Sequence, residues 1–573
     1  MNDINALYEK WCERAVSDPD LAKELNAITG NEEEIFDRFY KCLEFGTAGL
    51  RGVIGAGTNR MNVYTVNQAT QGLADYLNAN FENPSVAIAY DSRIKSDVFA
   101  KGAAGVLAAN GVKVWFYPTL VPTPMLSFAV RRLGCNSGII ITASHNPSKY
   151  NGFKCYDAAG YQMTDAAADE TLGYINRADI FDGVKTVSFD EGIASGMIEY
   201  IDISINEEFY DLVLSQMRSK DICKSTELSV IYTPLNGAGN IPVREVLKKA
   251  GFNNVRVVET QEMPDGNFPT CPFPNPEIKQ AFEEALKKAE AQPADLLLAT
   301  DPDCDRVGIA VPFDNDYKLM TGNEVGAMLT QYLLSVMKEA GTLPEKPLII
   351  KSFVTTDLVA AIAESFGAEV ANTLTGFKYI GEMVTELEQK GEQSRFICGM
   401  EESYGYLAGT HARDKDAVVA SLLICEMAAY YKAQGKSLYT VMQDIYAQYG
   451  MYLSSLLNFG FEGASGMKKM ADMMESLRNE PPKTIGGLDV EYVSDYKASE
   501  TLCCATDEKT AITLPKSNVL QYKLPSGSGV IVRPSGTEPK IKIYLTACGE
   551  SLADAQKLTD ALAADMKKYL CIE

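Results

Sequence analysis

Gly138-Ile139-Ile140-Ile141-Thr142-Ala143-Ser144-His145-Asn146-Pro147 is the stretch that decides the fold. Its first half is an unbroken apolar, β-branched run, the pattern of a strand covered on both faces, and it stops at a Ser-His-Asn-Pro turn. Short runs of this kind alternate with helix-period segments over most of the chain, the signature of a mostly parallel, doubly wound sheet. Residues 86–90 and 112–117 read as strands, and 63–79 and 99–110 as the helices between them. The pattern restarts at 228–232 and again at 347–351, after a helix over 324–340, with 264–276 an ordered loop rich in Pro, Gly and Asn. Further on, strands over 490–493, 519–523, 529–532 and 541–546 outnumber helices, and 551–570 closes the chain as an amphipathic helix. The expected fold class is α/β: three similar doubly wound α/β domains, at 1–208, 209–322 and 323–450, and a C-terminal α+β domain at 451–573.

The 573 residues suit about four domains, beyond the size at which one core stops growing. A formal net charge of −23 argues against nucleic acid or a polybasic membrane surface, both of which need positive potential over much of the protein. An anionic substrate would need local cationic pockets against that field. The 13 cysteines include no C-x-x-C, and Cys503 and Cys504 are adjacent, so they read as reduced thiols of a cytoplasmic protein. The start of the chain has no apolar signal core, and the longest apolar run, 418–425, is far too short to span a bilayer.

Four segments carry chemistry. In wound sheets ligands gather at the carboxyl ends of strands, which makes Ser144 a candidate nucleophile or phosphate site; 151–154 then returns a cation, Lys154. A strand-end turn with an Asn-Pro breaker would read the same way. Asp301-Pro302-Asp303-Cys304-Asp305-Arg306 follows a second apolar strand, and three carboxylates at i, i+2, i+4 of an extended segment face one side. That all-oxygen set suits a hard divalent cation, Mg²⁺ first, with Arg306 beside it for a phosphoryl group. Arg533-Pro534-Ser535-Gly536-Thr537-Glu538-Pro539-Lys540, with Lys542 beyond, combines a guanidinium, two hydroxyls and a Gly that lets backbone N–H groups approach: a phosphate cradle. Gly399-Met400-Glu401-Glu402-Ser403-Tyr404-Gly405 offers paired carboxylates for sugar hydroxyls, and His411, Arg413 and Lys415 add cations downstream. Gly46-Thr47-Ala48-Gly49-Leu50-Arg51-Gly52 reads as a Gly-rich turn presenting one Arg.

Other motifs fail. Gly435-Lys436-Ser437 ends like a P-loop, but Tyr430 occupies the required upstream Gly. No dinucleotide fingerprint is complete, and two histidines do not make the usual zinc site. Nucleophile, metal site, hydroxyl-binding loop and distant phosphate cradle together fit phosphoryl transfer on a sugar phosphate in a central cleft.

The segments 142–147, 301–306, 401–403 and 533–537 resemble, in order, the four signature motifs of the α-D-phosphohexomutases. Residues 46–62 most resemble that family's long phosphoglucomutase branch, which also contains phosphopentomutases. One departure is Met400, where many members have Gly directly before the paired Glu. The resemblance implies an isomerase of glucose metabolism that interconverts glucose 1-phosphate and glucose 6-phosphate. Ser144 would be the phosphoserine, and Asp301, Asp303 and Asp305 would hold Mg²⁺ with its phosphate. Arg51, His145, Lys154 and Arg306 would surround that phosphate, with Lys154 or Arg51 in proton transfer. Glu401 and Ser403 would bind sugar hydroxyls; Thr375, Gly376, Lys378, Arg413 and Lys415 would complete the sugar and phosphate contacts. Arg533, Ser535, Gly536, Thr537 and Lys542 would grip the second phosphate. It also implies glucose 1,6-bisphosphate as intermediate and primer, turning over beneath a fourth domain that moves as a lid. Mannose or pentose phosphates are alternative substrates. A silent sugar-phosphate-binding protein and a Mg²⁺-dependent phosphatase are the alternatives of other kinds.

Overall fold

A computed structural model describes residues 2–46, 49–461, 463–535 and 540–572. The chain forms two compact units: Met1–Gly322 with Ile380–Gly399 and Ser403–Ser437, and Asn323–Tyr379 with Met400–Glu402 and Leu438–Glu573. Among the described residues no helix is long and apolar enough to cross a membrane.

The first unit holds two sheets built alike. The first contains β1 (Gly49–Val53), β2 (Ser85–Tyr90), β3 (Lys113–Phe116), β4 (Ser137–Ile141), β5 (Tyr150–Asp157) and β6 (Ile198–Tyr200), in the order β1-β5-β4-β2-β3-β6. β4, β2, β3 and β6 run parallel, while β5 and β1 are antiparallel additions at one edge. The second contains β7 (Val230–Thr233), β8 (Val255–Val257), β9 (Leu296–Thr300), β10 (Val307–Phe313) and β11 (Asp316–Met320), ordered β11-β10-β9-β7-β8. Here β8, β7 and β9 are parallel and β10 and β11 antiparallel. The sheets are therefore mixed. Every residue of β4 and β9 is buried, as their unbroken apolar sequences require. Each is followed at its carboxyl end by a turn into an antiparallel partner, and those two turns carry Ser144 and the three aspartates.

Of the segment expected as a Gly-rich turn, residues 49–52 instead belong to an edge strand, β1. Arg51 on β1 lies opposite Gly152 on β5, where a Cβ would strike the carbonyls of Thr142 and Leu50 at 2.5 and 2.9 Å. Glycine at 152 lets three strands close up around the Ser144 loop. Three amphipathic helices, Asn2–Arg14, Pro19–Ala27 and Glu32–Phe39, precede β1 and enclose Trp11, Leu21, Leu25, Ile35 and Phe39 around Ala56. Glu24 accepts the Ala56 N–H at 2.8 Å, and Arg38 bonds both Glu24 and the Ala56 carbonyl.

In the second unit β12 (Leu348–Ser352) and β13 (Glu369–Thr373) pair in parallel, beside the helices Gly322–Glu339 and Leu358–Ser365. Met400 and Glu401 of this unit end the strand β14 (Phe396–Glu401), whose earlier residues, like β15 (Gly405–Leu407), belong to the first unit. A small hairpin, β17 (Thr484–Ile485) with β18 (Leu488–Asp489), stands apart. The rest of the unit is an antiparallel seven-stranded sheet ordered β16-β24-β23-β22-β19-β20-β21. Its members are β16 (Met451–Gly460), β19 (Tyr492–Asp495), β20 (Glu500–Cys503), β21 (Lys509–Ala511), β22 (Leu520–Lys523), β23 (Gly529–Pro534) and β24 (Lys540–Gly549). The helix Leu552–Tyr569 lays Leu562 and Met566 on Ile541, Ile543 and Leu545 of β24, matching the α+β expectation. A buried cluster of Phe353, Val354, Leu374, Ile531 and Tyr544 joins this sheet to the β12 region.

Candidate active site

Ser144 closes the turn after β4 with φ of +51°, a left-handed conformation that non-glycine residues adopt only when the surroundings enforce it. Two contacts enforce it. The Ser144 N–H donates to Thr142 Oγ1 at 2.8 Å, and the Ser144 carbonyl accepts from the Arg93 guanidinium. Arg93 also bonds the carbonyls of Asn146, Pro147 and Tyr150 at 2.5, 3.0 and 3.1 Å, so one side chain gathers the whole loop. Asp91 backs Arg93 at 3.4 Å, both side chains being fully buried. Burial lowers the Arg93 pKa against the opposing pull of Asp91. Sequence reasoning missed this pair; its position directly after β2 at a carboxyl strand end was the available signal.

The Ser144 hydroxyl is aimed by this framework, donating to Asp301 Oδ2 at 2.8 Å and lying 3.1 Å from His145 Nδ1. Burial, then the charges of Arg306 and Arg51, push the His145 pKa well below its usual value, so the imidazole is neutral at pH 7.

Asp301, Asp303 and Asp305 are buried after β9, and each offers an oxygen within 4.8 Å of the others. They converge through a turn rather than through the extended segment expected. The Cys304 N–H bonds the Asp301 carbonyl at 2.9 Å, Cys304 has φ of +50°, and Asp301 Oδ1 accepts the N–H groups of Asp305 and Arg306. Lys154 of β5 reaches Asp303 Oδ2 at 2.9 Å, and Lys415 reaches Asp305 Oδ2 at 3.1 Å. Burial and the neighbouring charges of Asp303 and Asp305 raise the Asp301 pKa; burial would raise Asp303 too, but Lys154, a hydrogen bond with Asp301 and the Lys415 charge together hold that carboxyl low. Asp303 Oδ1 and Asp305 Oδ1 are buried without a hydrogen-bond partner. Buried carboxylate oxygens left unpaired are costly, and the set fits a hard divalent cation that would take them as ligands.

Arg306 sits beside the triad, its Nη1 2.7 Å from Glu277 Oε1 and 3.1 Å from the Ser403 carbonyl. Arg51 projects from β1, and its charge acts on His145 and Arg93. Arg413 differs from expectation. It is fully buried and bonds Thr385 Oγ1 at 2.9 Å, Glu388 Oε2 at 2.6 Å and the carbonyls of Thr410 and Ala412. Those bonds make it a bracket for the 410–413 loop. His411 likewise packs edge-on against Phe209 and bonds Asp416, which caps the helix Ala417–Ala433.

In the second unit, the Gly376 N–H donates to Glu401 Oε1 at 2.7 Å, with φ of +123° at Gly376. Thr375 Oγ1 is buried beside it without a partner, and Lys378 is buried with its ammonium over the Tyr379 ring. Arg533 on β23 and Lys542 on β24 are register partners, and Arg533 bonds the Tyr544 hydroxyl. The Ser535 N–H bonds the Lys540 carbonyl at 2.7 Å. Gly536 and Thr537, like Thr47 and Ala48, lie outside the described residues.

Glu402 accepts from Ser352 at 3.1 Å, and burial beside the charge of Glu401 lifts its pKa to about 7 from 4.5. A carboxyl whose pKa rises on folding binds more protons folded than unfolded, so its ionisation erodes stability as pH climbs from about 4.5 to about 7 and by a constant amount above. Glu402→Gln is therefore expected to raise the Tm by about 2–4 °C at pH 8 and to leave it unchanged at pH 4.5, measured by calorimetry. An equal shift at both pH values would refute the assignment.

Three consecutive family models match the chain, all described as phosphoglucomutase/phosphomannomutase: alpha/beta/alpha domain I over 43–179, domain II over 207–313 and domain III over 321–449. A phosphoglucomutase of Staphylococcus saprophyticus is 36% identical over 534 residues, covering 93% of this chain and 95% of that protein. The open form of the Paramecium exocytosis-sensitive phosphoprotein parafusin, a phosphoglucomutase, superposes with TM-score 0.67 at 17% identity, covering 92% and 95% of the two chains. An Aspergillus fumigatus N-acetylphosphoglucosamine mutase, in complex with GlcNAc-6P and magnesium, gives TM-score 0.51 at 14% identity, covering 96% of this chain and all of the other.

Proposed function

The chain belongs to the phosphoglucomutase/phosphomannomutase family, and from that membership we propose that it is a phosphoglucomutase, interconverting glucose 1-phosphate and glucose 6-phosphate through phosphorylated Ser144 and a glucose 1,6-bisphosphate intermediate. The observation that carries the reading is the Ser144 hydroxyl 2.8 Å from Asp301, beside two buried carboxylate oxygens that lack hydrogen-bond partners. In the forward half-reaction the bond between Ser144 Oγ and phosphorus breaks as the sugar 6-hydroxyl oxygen bonds to phosphorus, and the proton that hydroxyl gives up ends on the departing Ser144 Oγ, regenerating the serine hydroxyl. The reverse transfer from the 1-phosphate returns the phosphoryl group to Ser144. Asp301, Asp303 and Asp305 would hold Mg²⁺, which, when bound, neutralises charge on the transferring group. Arg51, Lys154 and Arg306 would orient the phosphate, and neutral His145 would orient Ser144. Glu401, Thr375, Gly376 and Lys378, with Ser403 and Lys415, would grip the sugar, and Arg533, Ser535, Gly536, Thr537 and Lys542 the second phosphate. Arg413 would act through the loop it braces. Segments 1–208, 209–322, 323–450 and 451–573 would each supply one part of this machinery, in the cytoplasm.

A coupled assay should form glucose 6-phosphate from glucose 1-phosphate, stimulated by glucose 1,6-bisphosphate and abolished by chelation of Mg²⁺. A higher kcat/KM with ribose 1-phosphate would overturn the glucose assignment, and phosphate release in step with substrate loss would mark a phosphatase.

A further inference from the structure

A second set of buried groups converges on the triad from outside it. Tyr156 lies two residues past Lys154 on β5, and so faces the same side of the strand. Its hydroxyl donates to Asp414 Oδ2 at 2.6 Å. Asp414 Oδ1 accepts from the Lys415 N–H at 2.8 Å and from Lys415 Nζ at 3.1 Å, and the same ammonium stands 3.1 Å from Asp305 Oδ2. Tyr156, Asp414, Lys415 and Asp305 are all buried. Lys415 has little freedom, because its stem crosses Gly405, where a Cβ would meet Lys415 Cδ at 2.2 Å. Its ammonium is thus shared between two carboxylates, one an expected metal ligand and the other not.

Sharing has a consequence for any cation that binds. Lys415 and a divalent ion both draw on Asp305, and the hold of Asp414 on Lys415 limits how strongly the ammonium competes. We propose that Asp414 is a positioning residue that sets the divalent-cation affinity of the Asp301–Asp303–Asp305 site by restraining Lys415. This rests on the reading of the triad as the metal site. Groups behind metal ligands commonly change affinity by about 10- to 100-fold when removed.

The test is a double-mutant cycle read by Mn²⁺ binding to chelator-stripped protein, followed by electron paramagnetic resonance and independent of turnover. Asp414→Asn is expected to weaken Mn²⁺ binding about tenfold. Lys415→Met is expected to strengthen it, and in that background Asp414→Asn should change affinity less than about threefold. Asp414→Glu, which keeps the charge, should stay within about threefold of wild type. Equal losses from Asp414→Asn in both backgrounds, or none in either, would overturn the proposal. Should Asp414→Asn not fold, unchanged affinity in Lys415→Met overturns it instead. Asp303→Asn separates the premises: undiminished binding there removes the metal site and the proposal with it, whereas binding lost there yet indifferent to Asp414 refutes the proposal alone.

Discussion

Ser144→Ala is expected to lower turnover by about 10⁴-fold or more, the scale seen when a covalent nucleophile is removed. The same substitution should erase an adduct of about 80 Da from the intact mass of the protein as purified. The fold should survive. The bonds that shape the turn use the backbone N–H and carbonyl of residue 144, to Thr142 and Arg93, and alanine keeps both. What alanine loses is the hydroxyl's contacts to Asp301 and His145, while the strain of φ near +51° is one that serine already bears. A drop of a few degrees in Tm with activity gone is the expected pair of results. Turnover close to wild type would sink the phosphoserine mechanism.

Arg93→Met is the second large effect, and it acts without removing any group that touches substrate. Four carbonyls between Ser144 and Tyr150 lose their donor, and Asp91 is left as a buried charge without its partner. Breaking a buried pair on one side costs about 3–5 kcal/mol, while a misplacement of about 1 Å at a reacting atom costs about 100-fold in rate. Both losses are expected together. Asp91→Asn combined with Arg93→Met discriminates between them: neutralising the orphaned charge should restore most of the stability, seen by urea denaturation, but not kcat. Recovery of kcat in the double variant would show that Arg93 matters only for folding.

The residues with chemistry were legible where the sequence places them after buried apolar strands, as with Ser144 after β4 and the aspartates after β9. A one-dimensional pattern gave less where geometry depends on a neighbour. The strand β1 looked like a turn because Gly49 is needed for close approach to β5 and Gly52 for the packing of Leu43, which composition alone does not separate from loop freedom. The antiparallel edges formed by β1, β5, β10 and β11 were hidden for the same reason. The extended segment expected for the three aspartates is a turn at Cys304 instead, because that turn has no sequence mark such as Gly. Arg413 drew notice as a cation near a binding loop, yet its partner Glu388 lies 25 residues away on a helix, beyond the reach of any local pattern. Arg93 and Asp414 went unnoticed because each acts through another residue.

The three helices ahead of β1 bear on how separable the parts of this protein are. The matched family segment starts at residue 43, so these helices lie outside it. Yet Glu24 and Arg38 fasten Ala56, Asp37 pairs with Arg60, and Thr58 bonds the Lys41 carbonyl, all within the loop that follows the Arg51 strand. The leading segment is therefore a retainer for the edge strand that carries Arg51 rather than a detachable appendage. A chimera or minimal enzyme cut at the recognisable boundary would discard its own fastening, and exchange of this module between relatives would have to carry the first forty residues along.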